Sequence, residues 1–410
     1  MRAEIIATGT ELLTGGSLDT NSLFLSEELM LVGLETAFKT VVGDDERDME
    51  DAITRALTRV DAVIITGGLG PTEDDITRKV IAKIMKKRLV LNEDALAAIH
   101  ARLAGRGREN ISVNDRQALI PAGARILPNP AGTAPGFYIE EESFLAVLPG
   151  VPREMQAMYQ EGLRPVLQER FGRKTFIRRR VLRTCGMWES AVNQAIQDII
   201  RRGEPSIGLS VKAAGVDIRI IARSTNAEDA QIQVDRTESA IREKIADAVY
   251  GVDGVELEEV VGALLKQRRF TLAVAESCTG GIIGGRITNI AGSSEYFERG
   301  AVVYSNLAKT EMLGVPQELI ERHGVVSAEV AGAMARGIRQ AARTSLGLGV
   351  TGIAGPGGGT EKKPVGLVYI ALASPQGVRN AEHRFLGNRE QIRIRASQMA
   401  LDMVRRYLIA

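Results

Sequence analysis

The chain has 410 residues, 44% hydrophobic and 25% charged, the balance of a water-soluble globular protein with room for two or three domains. Its 52 Lys and Arg stand against 51 Asp and Glu, so no bulk field draws it to DNA, RNA or a membrane surface, and composition gives no reason to expect a nucleic-acid partner. No apolar run reaches the roughly 18 residues of a membrane helix, and no charged-then-apolar leader follows Met1, so a cytoplasmic location is expected.

Residues 3–8 (AEIIAT) read as a short buried strand, 20–32 as a helix, 34–42 as extended and 46–59 as a helix. Asp61–Thr66 (DAVIIT) is a second buried strand. Helices are expected near 75–86 and 93–105, then a Pro/Gly-rich stretch at 121–136, a strand at 144–148 and a helix from about Pro152. This alternation predicts a parallel α/β sheet. Beyond Phe171 the character changes. Residues 173–183 hold six Arg or Lys, 188–202 look helical, 207–223 look like two strands around Gly215, and 228–247 look helical. That order predicts a small separate α+β module, with Gly251–Gly254 as a linker. From Val255 the alternation resumes. A helix runs to about Gln267, strands are expected at 270–276, 300–304, 346–351, 365–373 and 378–385, and a final helix spans 388–407. The two cysteines, Cys185 and Cys278, form no C-x-x-C pair, which argues against a cysteine zinc site and suits a reducing compartment.

Two loops carry the chemistry. After DAVIIT comes Thr66-Gly67-Gly68-Leu69-Gly70-Pro71-Thr72-Glu73-Asp74-Asp75-Ile76-Thr77. Glycines there let a phosphate approach the main chain, and the carboxylates that follow could hold a hard divalent cation, or cap the next helix. The spacing is neither a P-loop nor a dinucleotide fingerprint, which disfavours a kinase-type NTPase or a dehydrogenase. The second loop, Ser277-Cys278-Thr279-Gly280-Gly281, follows strand 270–276. It places a serine at a strand end beside a helix N-terminus, where free N–H groups can hold an anion or a developing oxyanion. Serine needs a base. No histidine is near in sequence, but Lys309 in Tyr304-Ser-Asn-Leu-Ala-Lys309 can serve if burial lowers its pKa. The bland readings are a helix cap for Ser277, a solvated Lys309 and a small buried Cys278. The glycine loop Gly352–Gly359 could wrap a phosphate or ribose, or be a surface turn.

Ala275–Gly281, Gly300-x-x-x-Tyr304-Ser-Asn-x-x-Lys309 and Thr351-Gly352-Ile-Ala-Gly355-Pro356 resemble the CinA C-terminal domain, whose stand-alone members are nicotinamide-nucleotide amidases. The resemblance implies that Ser277 attacks the carboxamide of nicotinamide mononucleotide, with Lys309 as general base and Tyr304 assisting proton transfer. It implies no cofactor for that step. Thr279, Gly280, Gly281, Thr351, Gly352, Gly355 and Arg393 are then the expected substrate contacts. Gly9-Thr10-Glu11, Asp19-Thr20-Asn21, Val42-Gly43-Asp44, Gly67–Thr77, Asn129-Pro130-x-Gly132-Thr133 and Leu148–Met155 resemble the MoaB/MogA molybdopterin-binding fold. Within CinA proteins that domain implies hydrolysis of ADP-ribose to AMP and ribose 5-phosphate with a divalent metal (Mg, Co or Mn), potassium being left open. Asp44 and Asp75 are the catalytic candidates, and Asp74 and Asp75 the metal candidates. Asn21, Gly67, Gly68, Gly70, Thr72, Gly132 and Thr133 are the expected substrate contacts. The middle resembles a KH-like domain without the GXXG clamp of RNA binders, its basic run and Trp188 being read as spacer, core or interface.

The expected layout is a three-layer molybdopterin-binding-like α/β domain (1–168), a small α+β KH-like domain (169–252) and a CinA-type α/β domain (253–410). The resemblance implies a homodimer acting on small nucleotides, with no membrane partner. Two alternatives stand beside the bifunctional hydrolase: an amidase whose N-terminal domain only binds a nucleotide, and an interaction protein for DNA uptake or repair.

Overall fold

A computed structural model describes residues 1–104, 112–172 and 176–410. The expected helix end at 105 and the first three residues of the basic run lie outside them. The chain forms two compact units, Met1–Arg178 with Arg223–Gln231, and Arg179–Ala222 with Ile232–Ala410. Among the described residues no helix is long and apolar enough to cross a membrane.

The first unit contains β1 (Arg2–Thr8), β2 (Glu35–Val42), β3 (Ala62–Thr66), β4 (Leu89–Leu91), β5 (Leu119–Pro121), β6 (Arg125–Leu127), β7 (Gly136–Glu140) and β8 (Phe144–Leu148). Six make one sheet in the order β2-β1-β3-β8-β7-β6. The first four are parallel, as the alternation predicts, but β7 pairs antiparallel with β8, and β6 antiparallel with β7. The sheet is therefore mixed. Three residues separate β7 from β8, enough for a hairpin but too few for the crossover a parallel neighbour needs. Side chains of β1 and β3 alternate between two cores: Ala3, Ile5, Ala62 and Ile64 face one helical layer, and Ile6, Val63 and Ile65 face the other.

A four-stranded sheet of order β10-β11-β9-β12 follows, built from β9 (Phe176–Thr184), β10 (Ser206–Lys212), β11 (Gly215–Ser224) and β12 (Val249–Val252). The segment read as a linker thus begins as a strand, β12 pairing antiparallel with β9. Trp188 is 58% exposed at the start of helix Glu189–Ile200, so it is not a core residue.

The C-terminal sheet has the order β14-β13-β15-β16-β17, from β13 (Leu272–Glu276), β14 (Phe297–Val302), β15 (Leu346–Gly352), β16 (Leu367–Ser374) and β17 (Gly377–Arg384). β14, β13 and β15 are parallel, β16 pairs antiparallel with β15, and β17 antiparallel with β16. Large residues of β13, Leu272 and Val274, face helices Leu257–Arg268 and Arg389–Ile409. Small ones, Ala273 and Ala275, face helix Ala328–Ala342. That helix lies so close that a Cβ on Gly349 of β15 would sit 2.5 Å from the Ala331 carbonyl oxygen. The pattern leaves the carboxyl end of β13, flanked by β14 and β15, opening into the Ser277 turn.

Candidate functional site

At the end of β13 the Glu276 carbonyl accepts from the Val303 N–H (2.8 Å), and the Ser277 N–H donates to the Val350 carbonyl (3.0 Å). The turn then closes with the Gly280 N–H on the Ser277 carbonyl (3.1 Å). Gly280 and Gly281 have φ of +59° and +92°, left-handed values that glycine adopts without strain. Opposite, Ser305 Oγ caps helix Asn306–Leu313 by accepting from the Ala308 N–H (3.0 Å). Its first turn carries Lys309, which has no solvent exposure. Lys309 Nζ lies 3.3 Å from Ser277 Oγ, and the acceptors around it are the carbonyl oxygens of Val303 (2.9 Å), Tyr304 (3.3 Å) and Ser305 (3.5 Å), of which a neutral amine engages two. Burial lowers its pKa, and no carboxylate is among these partners. The amine is shifted toward its neutral form, whose lone pair can take the Ser277 proton. The neighbouring Cys278 thiol is pushed up to about 12 by burial, which removes it as a thiolate nucleophile near neutral pH.

The other expected residues divide. Thr279 is buried and its Oγ1 has no hydrogen-bond partner among the described residues, while its carbonyl accepts from Arg393 Nη2 (2.9 Å) and Nε (3.3 Å). Arg393 therefore props the serine turn. One helical turn earlier, Arg389 donates to the Gly355 carbonyl (2.7 Å) and to Tyr304 Oη (2.8 Å). Tyr304 is 61% exposed. Its phenol meets Arg389, and only its main-chain oxygen meets Lys309, so the expected phenolic relay is not assembled. Thr351 Oγ1 donates to the Val325 carbonyl (3.0 Å), and Gly352 sits where a Cβ would be 2.6 Å from Val368 Cγ2. Both act within the fold, and Gly355 (φ +79°) is held by Arg389.

Sequence reasoning missed Glu276. This 1% exposed carboxylate accepts from the N–H groups of Gly281 (3.0 Å), Ile283 (3.1 Å) and Gly284 (2.8 Å). The N–H groups expected to hold a ligand anion are already taken by the chain's own. The available signal was a carboxylate closing an otherwise apolar strand.

The loops of the first unit gather at the carboxyl ends of β1, β2, β3 and β8, where open α/β sheets bind ligands. Asp75 accepts from the Gly70 N–H (2.8 Å), the Thr72 N–H (2.9 Å) and Thr72 Oγ1 (2.5 Å). It staples its own loop, and helix Thr77–Ile84 has no side-chain cap, so neither Asp74 nor Asp75 caps it. Gly68 packs against Thr77, whose Oγ1 donates to the Gly67 carbonyl (3.1 Å). Buried Arg78, absent from the sequence reading, donates to the carbonyls of Leu69 (2.6 Å) and Gly70 (2.9 Å), and burial pushes its pKa down to about 10. Asp44 accepts from the N–H and the hydroxyl of Thr10, both at 2.8 Å. Asn21 Nδ2 donates to Thr66 Oγ1 (3.0 Å) and to the Gly150 carbonyl (2.7 Å), at the wall of a cavity of about 140 Å³, while its buried Oδ1 has no partner among the described residues. Gly132 donates its N–H to Asn129 Oδ1 (2.6 Å), and Thr133 follows in the same loop. Asp74 is exposed. Among the described residues no three His, Cys, Asp or Glu side chains are placed to hold a metal ion together. These carboxylates do not form a resident metal cage.

Comparison with known proteins gives three matches along the chain. A probable molybdopterin binding domain matches residues 4–169, a damage-inducible protein CinA KH domain 179–251, and a CinA C-terminal domain 255–408. A putative competence-damage inducible protein of Moorella thermoacetica is 44% identical over 411 residues, covering 100% of this chain and 99% of its own. A CinA-like protein of Koribacter versatilis is 43% identical over 415 residues, covering 100% of both. Among solved structures, the competence/damage inducible protein CihA from Agrobacterium tumefaciens is 41% identical, covering 38% of this chain and 94% of its own, with a TM-score of 0.37.

Proposed function

The chain belongs to the CinA family, and from that premise we propose that its C-terminal part deamidates nicotinamide mononucleotide. The observation that carries the reading is a lysine with no solvent exposure, 3.3 Å from Ser277 Oγ and hydrogen-bonded to no carboxylate. Neutral Lys309 takes the Ser277 proton as Oγ attacks the carboxamide carbon. The oxygen of the tetrahedral intermediate is met by main-chain N–H groups of the Ser277–Gly281 turn that Glu276 leaves free. Lys309 passes its proton to the leaving nitrogen, and ammonia departs. Water, deprotonated by Lys309, then attacks the acyl ester, and Lys309 gives that proton to the departing Ser277 Oγ as nicotinic acid mononucleotide is released. No metal enters these steps. Tyr304 and Arg389, joined at the rim, orient the substrate rather than move its proton. Ammonia release from nicotinamide mononucleotide, lost in Ser277→Ala, tests the reading. Release that survives in that variant refutes it.

For the first unit the reading is a nucleotide site that hydrolyses ADP-ribose to AMP and ribose 5-phosphate. The glycine loop at the carboxyl end of β3 supports it. A divalent ion (Mg, Mn or Co) would arrive with the pyrophosphate oxygens, since the protein carboxylates do not cage one alone. One observation favours the second reading, binding without cleavage: Asp75 is committed to its own loop. AMP formation separates the two. Salt-dependent DNA binding without turnover of either nucleotide would instead support a role in DNA uptake or repair. A cytoplasmic homodimer is part of the proposal, checked by light scattering.

A further inference from the structure

Glu276 is a buried carboxylate that the proposed chemistry does not consume. Among the described residues its hydrogen-bond partners are three main-chain N–H groups on the far side of the serine turn, with no Lys or Arg. The same residue's carbonyl is fixed by Val303, and the next N–H, that of Ser277, is fixed by Val350. The peptide unit joining Glu276 to Ser277 thus ties the start of the turn to Val303 and to Val350 of β15, and the Glu276 side chain ties it to the end of the turn. Between those ties lie two left-handed glycines, which hold no conformation by themselves.

We propose that Glu276 is the positioning residue of the amidase site: its carboxylate closes the Ser277–Gly281 turn into a ring and thereby sets Ser277 Oγ against Lys309. This rests on the amidase reading above and deepens it. A consequence for the substrate follows. The first-turn N–H groups of helix Ile282–Thr288 are occupied by this internal anion, so the nucleotide phosphate is bound elsewhere, and the turn is left to the carboxamide.

The test is chemical rescue. Glu276→Ala leaves three N–H donors around a carboxylate-sized space. Its kcat for ammonia release should fall by roughly 10²-fold, the cost of a displaced reacting group, with KM unchanged. Added formate or acetate should restore a large part of the loss, and chloride at equal ionic strength should not. A wild-type kcat in Glu276→Ala overturns the proposal, as does a loss that formate fails to lift in a protein with the wild-type melting curve. If Glu276→Ala does not fold, Glu276→Gln decides. It keeps the shape but places an NH2 against N–H donors, so an unchanged kcat there overturns the proposal and a reduced kcat at constant KM supports it. Labelling of Ser277 by a sulfonyl fluoride separates this inference from the choice of substrate. Should wild-type protein release no ammonia, slower labelling of the variants that formate accelerates still supports positioning, and equal labelling overturns it.

Discussion

Lys309 gives the amidase reading its pH signature. Its pKa in the folded chain lies below the ordinary 10.5, because burial disfavours the ammonium. The active form is the neutral amine. Below the lowered pKa the group already carries the proton it must accept, so kcat/KM should rise with pH through that pKa and level off above it. The unfolded chain binds this proton more tightly, so Lys309 also makes stability rise with pH between its folded and ordinary pKa values. Lys309→Arg places a group there that stays charged, and activity should vanish across the whole range, as a pH–rate profile would show. A variant that keeps the wild-type profile would remove Lys309 as the base. At this scale the sequence was informative where chemistry needs a side chain. Ser277 stood out at a strand end, and the Tyr304–Lys309 segment offered a lysine where no histidine lay near. Glu276 left only one signal, a carboxylate closing an apolar strand, because its partners are main-chain N–H groups, which no residue letter marks. Tyr304, which the resemblance placed beside Lys309, precedes the helix that buries Lys309, and its phenol meets Arg389.

Elements impose a different kind of constraint, that of close approach. Gly349 faces helix Ala328–Ala342, and even a methyl group there would lie 2.5 Å from a carbonyl oxygen. Gly349→Val should cost about 1–3 kcal/mol or more from overpacking and lower the melting temperature, while the same change at Gly208 of β10, where a Cβ meets nothing within 4 Å and φ is not left-handed, should not. Calorimetry reads both, and equal melting temperatures would mean that the helix moves away cheaply. The Asp75 loop is held by polar contacts instead. Asp75→Ala leaves three donors without their acceptor, a cost of about 1–3 kcal/mol that water reduces at exposed Thr72. Buried strands such as AVIIT were legible because continuous apolar runs bounded by turns have few other uses. The antiparallel edge β7-β6 was not, because Pro and Gly around 121–136 hide two short strands, and a hairpin betrays itself only through a turn whose residues (Glu141, Glu142, Ser143) carry no strong signal.

At the scale of the whole molecule, the Ser277 and Asp75 networks are each closed within one compact unit. Each unit also has its own apolar core, so neither needs the other to form its loop. Sites that share no partners respond additively to substitution. Ser277→Ala should therefore abolish ammonia release and leave turnover or binding of ADP-ribose at the wild-type level. Asp75→Ala should do the converse, weakening the nucleotide reaction of the first unit while ammonia release persists. The double variant should lose both, with no extra loss of stability beyond the sum. Product analysis of all four proteins, each alongside its melting curve, decides the matter. If Asp75→Ala also silences the amidase while the second unit still melts at the wild-type temperature, the two sites are energetically coupled, and the chain works as one enzyme rather than as two activities on one polypeptide.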